Sequence, residues 1–306
     1  MGVKYLNNFI MKNCKNSLKY VSFSDLKDKV IVVDTSIYLY RFKSENILIK
    51  GFYELITKFK LNNIIPIFIF DGKPINEKNS LLQIRKNNKL KAKNKYYKLK
   101  SQIKDNNEDN MKLNKELLKL ERKCISITKQ DIFNVKCLLR HMNIYYYNAP
   151  FESDSICAKF VINNIAYACL SDDMDLFVYG CTRVLRYLNV SNSTVVLYNY
   201  KKILKSLKIN DKNFKKICIL SGTDYNINNK NIPLYKGYKL YNMYKYSNYK
   251  NYTKWLLDNN IISNKHYINN VINIFNIDDI NMDKYTRIYS NKNNNKEDLE
   301  IFLEKF

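Results

Sequence analysis

A chain of 306 residues with 46% hydrophobic side chains is long enough to bury a sizeable core, yet it holds no uncharged apolar run of membrane-spanning length, and Met1 to Lys19 lacks the unbroken apolar stretch of a leader peptide. Seven cysteines with no Cys-x-x-Cys pair, and only two histidines, His141 and His266, argue for reduced intracellular thiols and against structural zinc or a His-based triad. The formal net charge of +24 attracts polyanions, nucleic acid above all, although Lys, Asn, Ile and Tyr share AT-rich codons, so the placement of charge carries more weight than its sum.

In chain order, the first apolar run is Val30-Ile31-Val32-Val33, ending in Asp34. Phe52 to Phe59 has apolar residues at helical spacing. Ile64 to Phe70 is a second run, ending in Asp71, with Pro66 as a blemish because an interior strand proline removes a ladder donor. Both runs are short and rich in β-branched and aromatic residues, which predicts buried strands of a parallel sheet. Lys78 to Lys104 then holds ten Lys or Arg and no acid, with Tyr96 and Tyr97 interleaved, before an acidic break at Asp105 to Asn110 and a helical pattern from Met111 to Lys123. Ile132 to His141 and Ser153 to Ile162 are amphipathic. Ala166 to Leu170 is the third run and leads to Asp172, Asp173 and Asp175. Beyond Ile217 to Leu220, Gly222 is placed to end a helix just before Asp224, and the remainder is helical and polar. Alternating strands and helices predict an α/β fold, a central mainly parallel sheet flanked by helices. Residues 1–225 form the core, with a basic arm at about 78–125, and residues 226–306 an appended helical region rather than a second core.

In open α/β sheets ligands bind beyond the carboxyl ends of the strands. Adjacent parallel strands would bring Asp34, Asp71, Asp173 and Asp175 to one edge. The helix start at Pro150 to Asp154 adds Glu152 and Asp154, one carboxylate more than a helix dipole calls for. A single aspartate of this kind is ordinarily a loop or cap residue. A cluster is different, because two carboxylates roughly 4 Å apart repel by about 4 kcal/mol at an effective dielectric of about 20. Divalent cations relieve that repulsion, and an all-oxygen donor set favours Mg²⁺ or Mn²⁺ over zinc. The basic arm, by contrast, is either a solvated helix or a charged, aromatic-interleaved surface for single-stranded nucleic acid, with Lys86, Lys89 and Lys93 as candidate DNA contacts.

Six blocks taken together resemble the flap endonuclease family of structure-specific 5′-nucleases, with its PIN-like fold. They are Met1-Gly2-Val3-Lys4-Tyr5-Leu6, Val33-Asp34-Thr35-Ser36-Ile37-Tyr38, Phe70-Asp71-Gly72-Lys73-Pro74, Ala149-Pro150-Phe151-Glu152-Ser153-Asp154, Ser171-Asp172-Asp173-Met174-Asp175-Leu176 and Leu220-Ser221-Gly222-Thr223-Asp224-Tyr225. Any one is weak; the ordered set is specific, and Lys296 to Phe306 resembles the stretch that closes the family's nuclease core. The resemblance implies that Asp34, Asp71, Glu152 and Asp154 hold one Mg²⁺ and that Asp173, Asp175 and Asp224 serve a second, Mn²⁺ being a substitute. One ion would activate a water and both would stabilise in-line displacement at phosphorus. It implies a helical arch over the site, with Lys78 and Arg85 near the scissile phosphate as catalytic cations. Gly2 becomes a DNA contact. Tyr40 either stacks on a terminal base or packs in the core.

The sequence also departs from the family. The family's helix–two-turn–helix carries a Gly-x-Gly hairpin, and both glycines are absent from Asn231 to Gly237, leaving Lys230, Lys236 and Lys239 to grip duplex by charge. Asp154 stands where the family usually has glutamate. The sequence to Phe306 carries no clamp-binding motif, so sliding-clamp recruitment is not expected. The reading is an intracellular monomer acting on branched or 5′-ended DNA, in the nucleus if cellular or at a cytoplasmic replication site if viral. A 5′–3′ exonuclease or junction resolvase of the same superfamily remains open, as does a non-catalytic DNA-binding scaffold.

Overall fold

The computed structural model describes residues 2–101, 110–226, 232–263, 265–283 and 296–306. Lys104, residues 105–109 of the acidic break, Lys230 and Asn231 lie outside the described residues. Among the described residues, β1 (Leu18–Ser22), β2 (Val30–Asp34), β3 (Ile65–Phe70), β4 (Tyr145–Asn148), β5 (Ala168–Leu170), β6 (Arg183–Asn189) and β7 (Thr194–Asn199) form one sheet in the order β1-β7-β6-β5-β2-β3-β4. The block from β6 to β4 is parallel, while β7 and β1 add antiparallel at one edge. The three apolar runs are thus the adjacent strands β5, β2 and β3.

Helices fill the connections. α1 (Leu6–Asn13) precedes β1, and α2 (Thr35–Ser44) and α3 (Leu48–Leu61) join β2 to β3. α4 (Asn79–Lys100), α5 (Asn110–Cys124) and α6 (Lys129–His141) lie between β3 and β4. α7 (Ser153–Ile162) joins β4 to β5, and α8 (Asp175–Val178) joins β5 to β6. α9 (Tyr200–Leu207), α10 (Asp211–Ser221), α11 (Leu234–Lys245), α12 (Tyr252–Asp258), α13 (Lys265–Ile274) and α14 (Lys296–Leu303) follow β7.

Strand alternation sorts the core into two layers. Val32, Ile69 and Cys169 face Leu6 and Ile10 of α1, Phe160 of α7 and Ile217 of α10. Ile31, Val33, Phe68 and Leu170 face Leu39 of α2, Phe52 and Ile56 of α3 and Val135 of α6. Burying a side chain such as Phe52 completely is worth about 1.5–3 kcal/mol. Leu234, Trp255, Ile268 and Phe275 join the first layer, so the helices beyond Leu220 share this core.

Pro66 fits its strand. Ile65 N–H donates to Lys29 O on the β2 side, so the next nitrogen points to the opposite side, where β4 begins only at the partner of Ile67. No ladder bond is lost there. The basic arm is a helical hairpin. Ala92 and Leu120 are its buried apolar positions, and Lys89 Nζ donates to Ile125 O at 2.7 Å and to Ser126 Oγ. Lys95 and Glu116 pair at 2.6 Å.

Candidate active site

The parallel strands bring the predicted acids together. Asp34 closes β2, Asp71 follows β3, and Asp173 and Asp175 follow β5. Glu152 and Asp154 flank the first residue of α7, and Asp224 stands just past α10, where Gly222 at φ +94° turns the chain. A cleft of about 280 Å³ is lined by Asp34, Asp71, Glu152, Asp154, Asp173 and Asp224, together with Lys78, Arg85 and Tyr40. Asp175 lies just beneath: its N–H donates to Asp173 Oδ1 and its own Oδ1 accepts Val3 N–H, both at 3.0 Å. Asp172 turns away and accepts Tyr187 N–H at 3.0 Å.

Polar neighbours hold these carboxylates in place. Asp34 accepts from Ser153 Oγ at 3.0 Å and from Ser171 Oγ at 2.9 Å. Asp71 accepts from Ser153 N–H at 2.7 Å and from Ser36 Oγ. Tyr225 donates to Glu152 Oε2 and meets the Tyr179 hydroxyl at 2.8 Å. The sequence reading gave no role to Ser36, Ser153, Ser171, Tyr179 or Tyr225. Ser153, Ser171 and Tyr225 stand beside acids within the motif blocks, and that adjacency was the available signal.

Crowding shows in the proton affinities. Burial first, then the Asp71 charge, pushes the Asp34 carboxyl up to about 7 against the pull of Ser171 and Ser153. Asp154 is driven well above the carboxylate range by burial and then by Asp173, Asp34, Asp71 and Asp175. Burial raises Asp173 as well, and Asp175 is raised further by burial with Asp173 and Asp224. Lys78 reaches Glu152 Oε1 at 2.5 Å and Asp224 Oδ2 at 3.6 Å, while Arg85 NH2 reaches Asp224 Oδ2 at 2.7 Å. Burial opposes the Lys78 charge, but Glu152, Asp224 and Asp154 outweigh it and hold the ammonium above its ordinary range.

The donor set fits divalent cations. Asp154 Oδ1 is buried with no hydrogen-bond partner, in a cleft whose acidic groups offer only oxygen. A carboxylate oxygen left without a proton donor in such a place is costly unless a cation meets it. Among the described residues no three ligands close into a preformed cage, and Lys78 and Arg85 stand among the acids instead.

The predicted DNA contacts are spread more widely. Gly2 sits against the acids: a Cβ there would come within 2.4 Å of Asp173 Oδ1 and 2.6 Å of Asp175 Oδ1. Tyr40 is 52% exposed and lines the cleft, which decides against the core alternative. Lys86 and Lys93 are exposed on α4, with Lys93 over the Tyr97 ring, whereas Lys89 is engaged within the arm. Lys236 and Lys239 are exposed on α11 and do not line the cleft.

An acidic cleft at the carboxyl ends of parallel strands, with two cations from a basic helical arm reaching into it, has the composition of a metal-dependent nuclease. Known proteins agree. The XPG N-terminal domain matches residues 1–92 and the XPG I-region matches residues 143–224, spans that contain every acid of the cleft as well as Lys78 and Arg85. Flap endonuclease 1 of Methanococcus aeolicus is 34% identical over 245 residues, 74% of this chain and 70% of that protein. The structure of flap endonuclease-1 from Methanococcus jannaschii superposes with a TM-score of 0.60 at 25% identity, covering 90% of this chain and 84% of that one. The catalytic core of Rad2 in complex with DNA substrate shares the fold, with a TM-score of 0.63 at 22% identity over 99% of this chain and 94% of that one. The chain belongs to the flap endonuclease/XPG family of structure-specific 5′ nucleases, hydrolases of DNA phosphodiester bonds.

Proposed function

We propose that this nuclease cuts DNA at 5′ flaps and 5′ ends, leaving a 5′-phosphate and a 3′-hydroxyl, with Asp34, Asp71, Glu152 and Asp154 holding one divalent cation and Asp173, Asp175 and Asp224 a second. The observation that carries the metal reading is the unpartnered, buried Asp154 Oδ1 amid carboxylates that repel one another. Mg²⁺, or Mn²⁺ in its place, would supply an acidified water and charge stabilisation at the phosphate. The chain's own groups do the rest. Ser153 and Ser171 fix Asp34, so the carboxylate keeps one orientation. Lys78 and Arg85, which pair with Glu152 and Asp224, would turn to the scissile phosphate once cations take over that task. Tyr40 offers an exposed ring at the mouth for a terminal base.

In this reading residues 1–225 are the nuclease core, the arm at about 78–125 receives the unpaired strand, and residues 226–306 hold duplex through Lys236 and Lys239. Replication, repair and recombination all generate such branched substrates, in a nucleus or at a viral replication site. Cleavage of 5′-labelled flap, blunt duplex and four-way junction DNA with Mg²⁺, Mn²⁺ or EDTA tests it. Metal-dependent cutting of the flap is the expected result. Preference for blunt ends or junctions would reassign the substrate, and EDTA-resistant cutting would overturn the metal reading.

A further inference from the structure

Both oxygens of Glu152 are held, and the two holds differ in kind. Lys78 Nζ donates to Oε1 at 2.5 Å and Tyr225 donates to Oε2. Lys78 belongs to the arm and carries positive charge, so it competes with any cation for the carboxylate. Tyr225 is a neutral phenol on the turn after α10, and it can orient the carboxylate without competing in charge. Glu152 immediately precedes α7, yet its side chain makes no capping bond, so its direction is set by these partners rather than by the helix end.

A phenol has one proton, and an ionised carboxylate only accepts. Tyr225 therefore uses its O–H as donor to Glu152, which leaves the 2.8 Å contact with Tyr179 to run from the Tyr179 hydroxyl to the Tyr225 oxygen. Phe275, the residue after α13, packs edge-on against both rings, 4.8 Å from Tyr179 and 5.1 Å from Tyr225. The chain of contacts thus runs from the C-terminal helices to an acid of the cleft.

We propose that Tyr225 is a positioning residue that aims Glu152 at a divalent cation, with Tyr179 fixing the Tyr225 hydroxyl and Phe275 holding both rings. This rests on the metal reading above. Groups that orient a metal ligand from behind are commonly worth about 10–100-fold in metal affinity. The test titrates Mn²⁺ into the DNA-free protein by calorimetry, for wild type, Tyr225→Phe and Tyr179→Phe, with melting temperatures in EDTA as the fold control. Tyr225→Phe is expected to weaken Mn²⁺ binding by about 10-fold or more and to raise the Mg²⁺ needed for half-maximal cleavage, while turnover at saturating Mg²⁺ largely returns. Tyr179→Phe should show a smaller loss of the same kind. If Tyr225→Phe does not fold, Tyr179→Phe and Phe275→Leu decide: weakened Mn²⁺ binding with unchanged melting supports the proposal, and wild-type affinity in both overturns it. Undiminished Mn²⁺ binding by a folded Tyr225→Phe overturns it alone, whereas a wild-type protein that takes up no Mn²⁺ overturns the metal reading with it.

Discussion

Asp173 and Arg85 sit on opposite sides of the site's charge balance, and their substitutions should fail differently. Burial first, with a smaller push from the Asp224 charge, raises the proton affinity of Asp173, so its negative charge strains the metal-free fold. Asp173→Asn keeps the shape and removes that charge. Cleavage in Mg²⁺ is expected to vanish, flap binding to persist, and the melting temperature in EDTA to equal or exceed that of wild type. Nuclease and filter-binding assays with a thermal melt check all three, and wild-type cleavage would remove Asp173 from the site. Arg85 is less enclosed, its side chain 42% exposed, and its bond to Asp224 adds little to stability. Its value would lie in charge that develops at the phosphate, so Arg85→Ala should lower single-turnover cleavage at saturating enzyme by about 10²-fold or more. An unchanged rate would leave Arg85 as a surface ion pair.

The elements that could be read from sequence were those whose residues all serve one purpose. β2 and β5, and β3 from Phe68 onward, are buried on both faces, so Val30 to Val33, Ile64 to Phe70 and Ala166 to Leu170 stand out as apolar runs, and an aspartate follows each because the strand ends open into the cleft. β4 escaped because it is an edge strand of half-buried tyrosines, Tyr145 to Tyr147, without an apolar run. β6 escaped because buried Arg186 interrupts it, a charge tolerated there through a bond to Asp172 O at 2.9 Å and the flanking rings of Tyr187 and Tyr198. The hydroxyl supports of the cleft were signalled only by their adjacency to acids: Ser171 acquires its role when β5 pairs with β2, and Tyr225 when the end of α10 meets the start of α7. The arm shows the same dependence. Lysines on all sides of α4 read as a DNA surface, yet Lys89 ties α4 to the segment after α5. Lys89→Ala should therefore speed amide hydrogen exchange in residues 113–124 while β2 and β3 exchange as in wild type. Unchanged exchange in that helix would return Lys89 to the free cations.

Across the whole molecule, the proposed metal site would couple stability to cation binding through the same carboxylates. Asp34, Asp154, Asp173 and Asp175 bind protons more tightly in the folded chain than in the unfolded one. Their contribution to stability is therefore fully present below the unfolded value near 3.8 and is lost as pH rises through the folded value, about 7 for Asp34. The net charge of +24 acts in the opposite sense, since lowering the pH removes carboxylate charge everywhere and adds to self-repulsion. A pH series of melts in EDTA alone would mix the two effects. The difference between melts in Mg²⁺ and in EDTA separates them, because surface repulsion is common to both while a bound cation would add charge relief in the cleft alone. The melting-temperature gain on adding Mg²⁺ should be small at pH 5, where protons already relieve the cleft, and should grow to a plateau above pH 7. The gain should also shrink in Asp154→Asn, which removes one of the charges that the cation has to offset. A gain that is equal at pH 5 and pH 8, or one that survives in Asp154→Asn at full size, would mean that Mg²⁺ stabilises the protein somewhere other than this cleft.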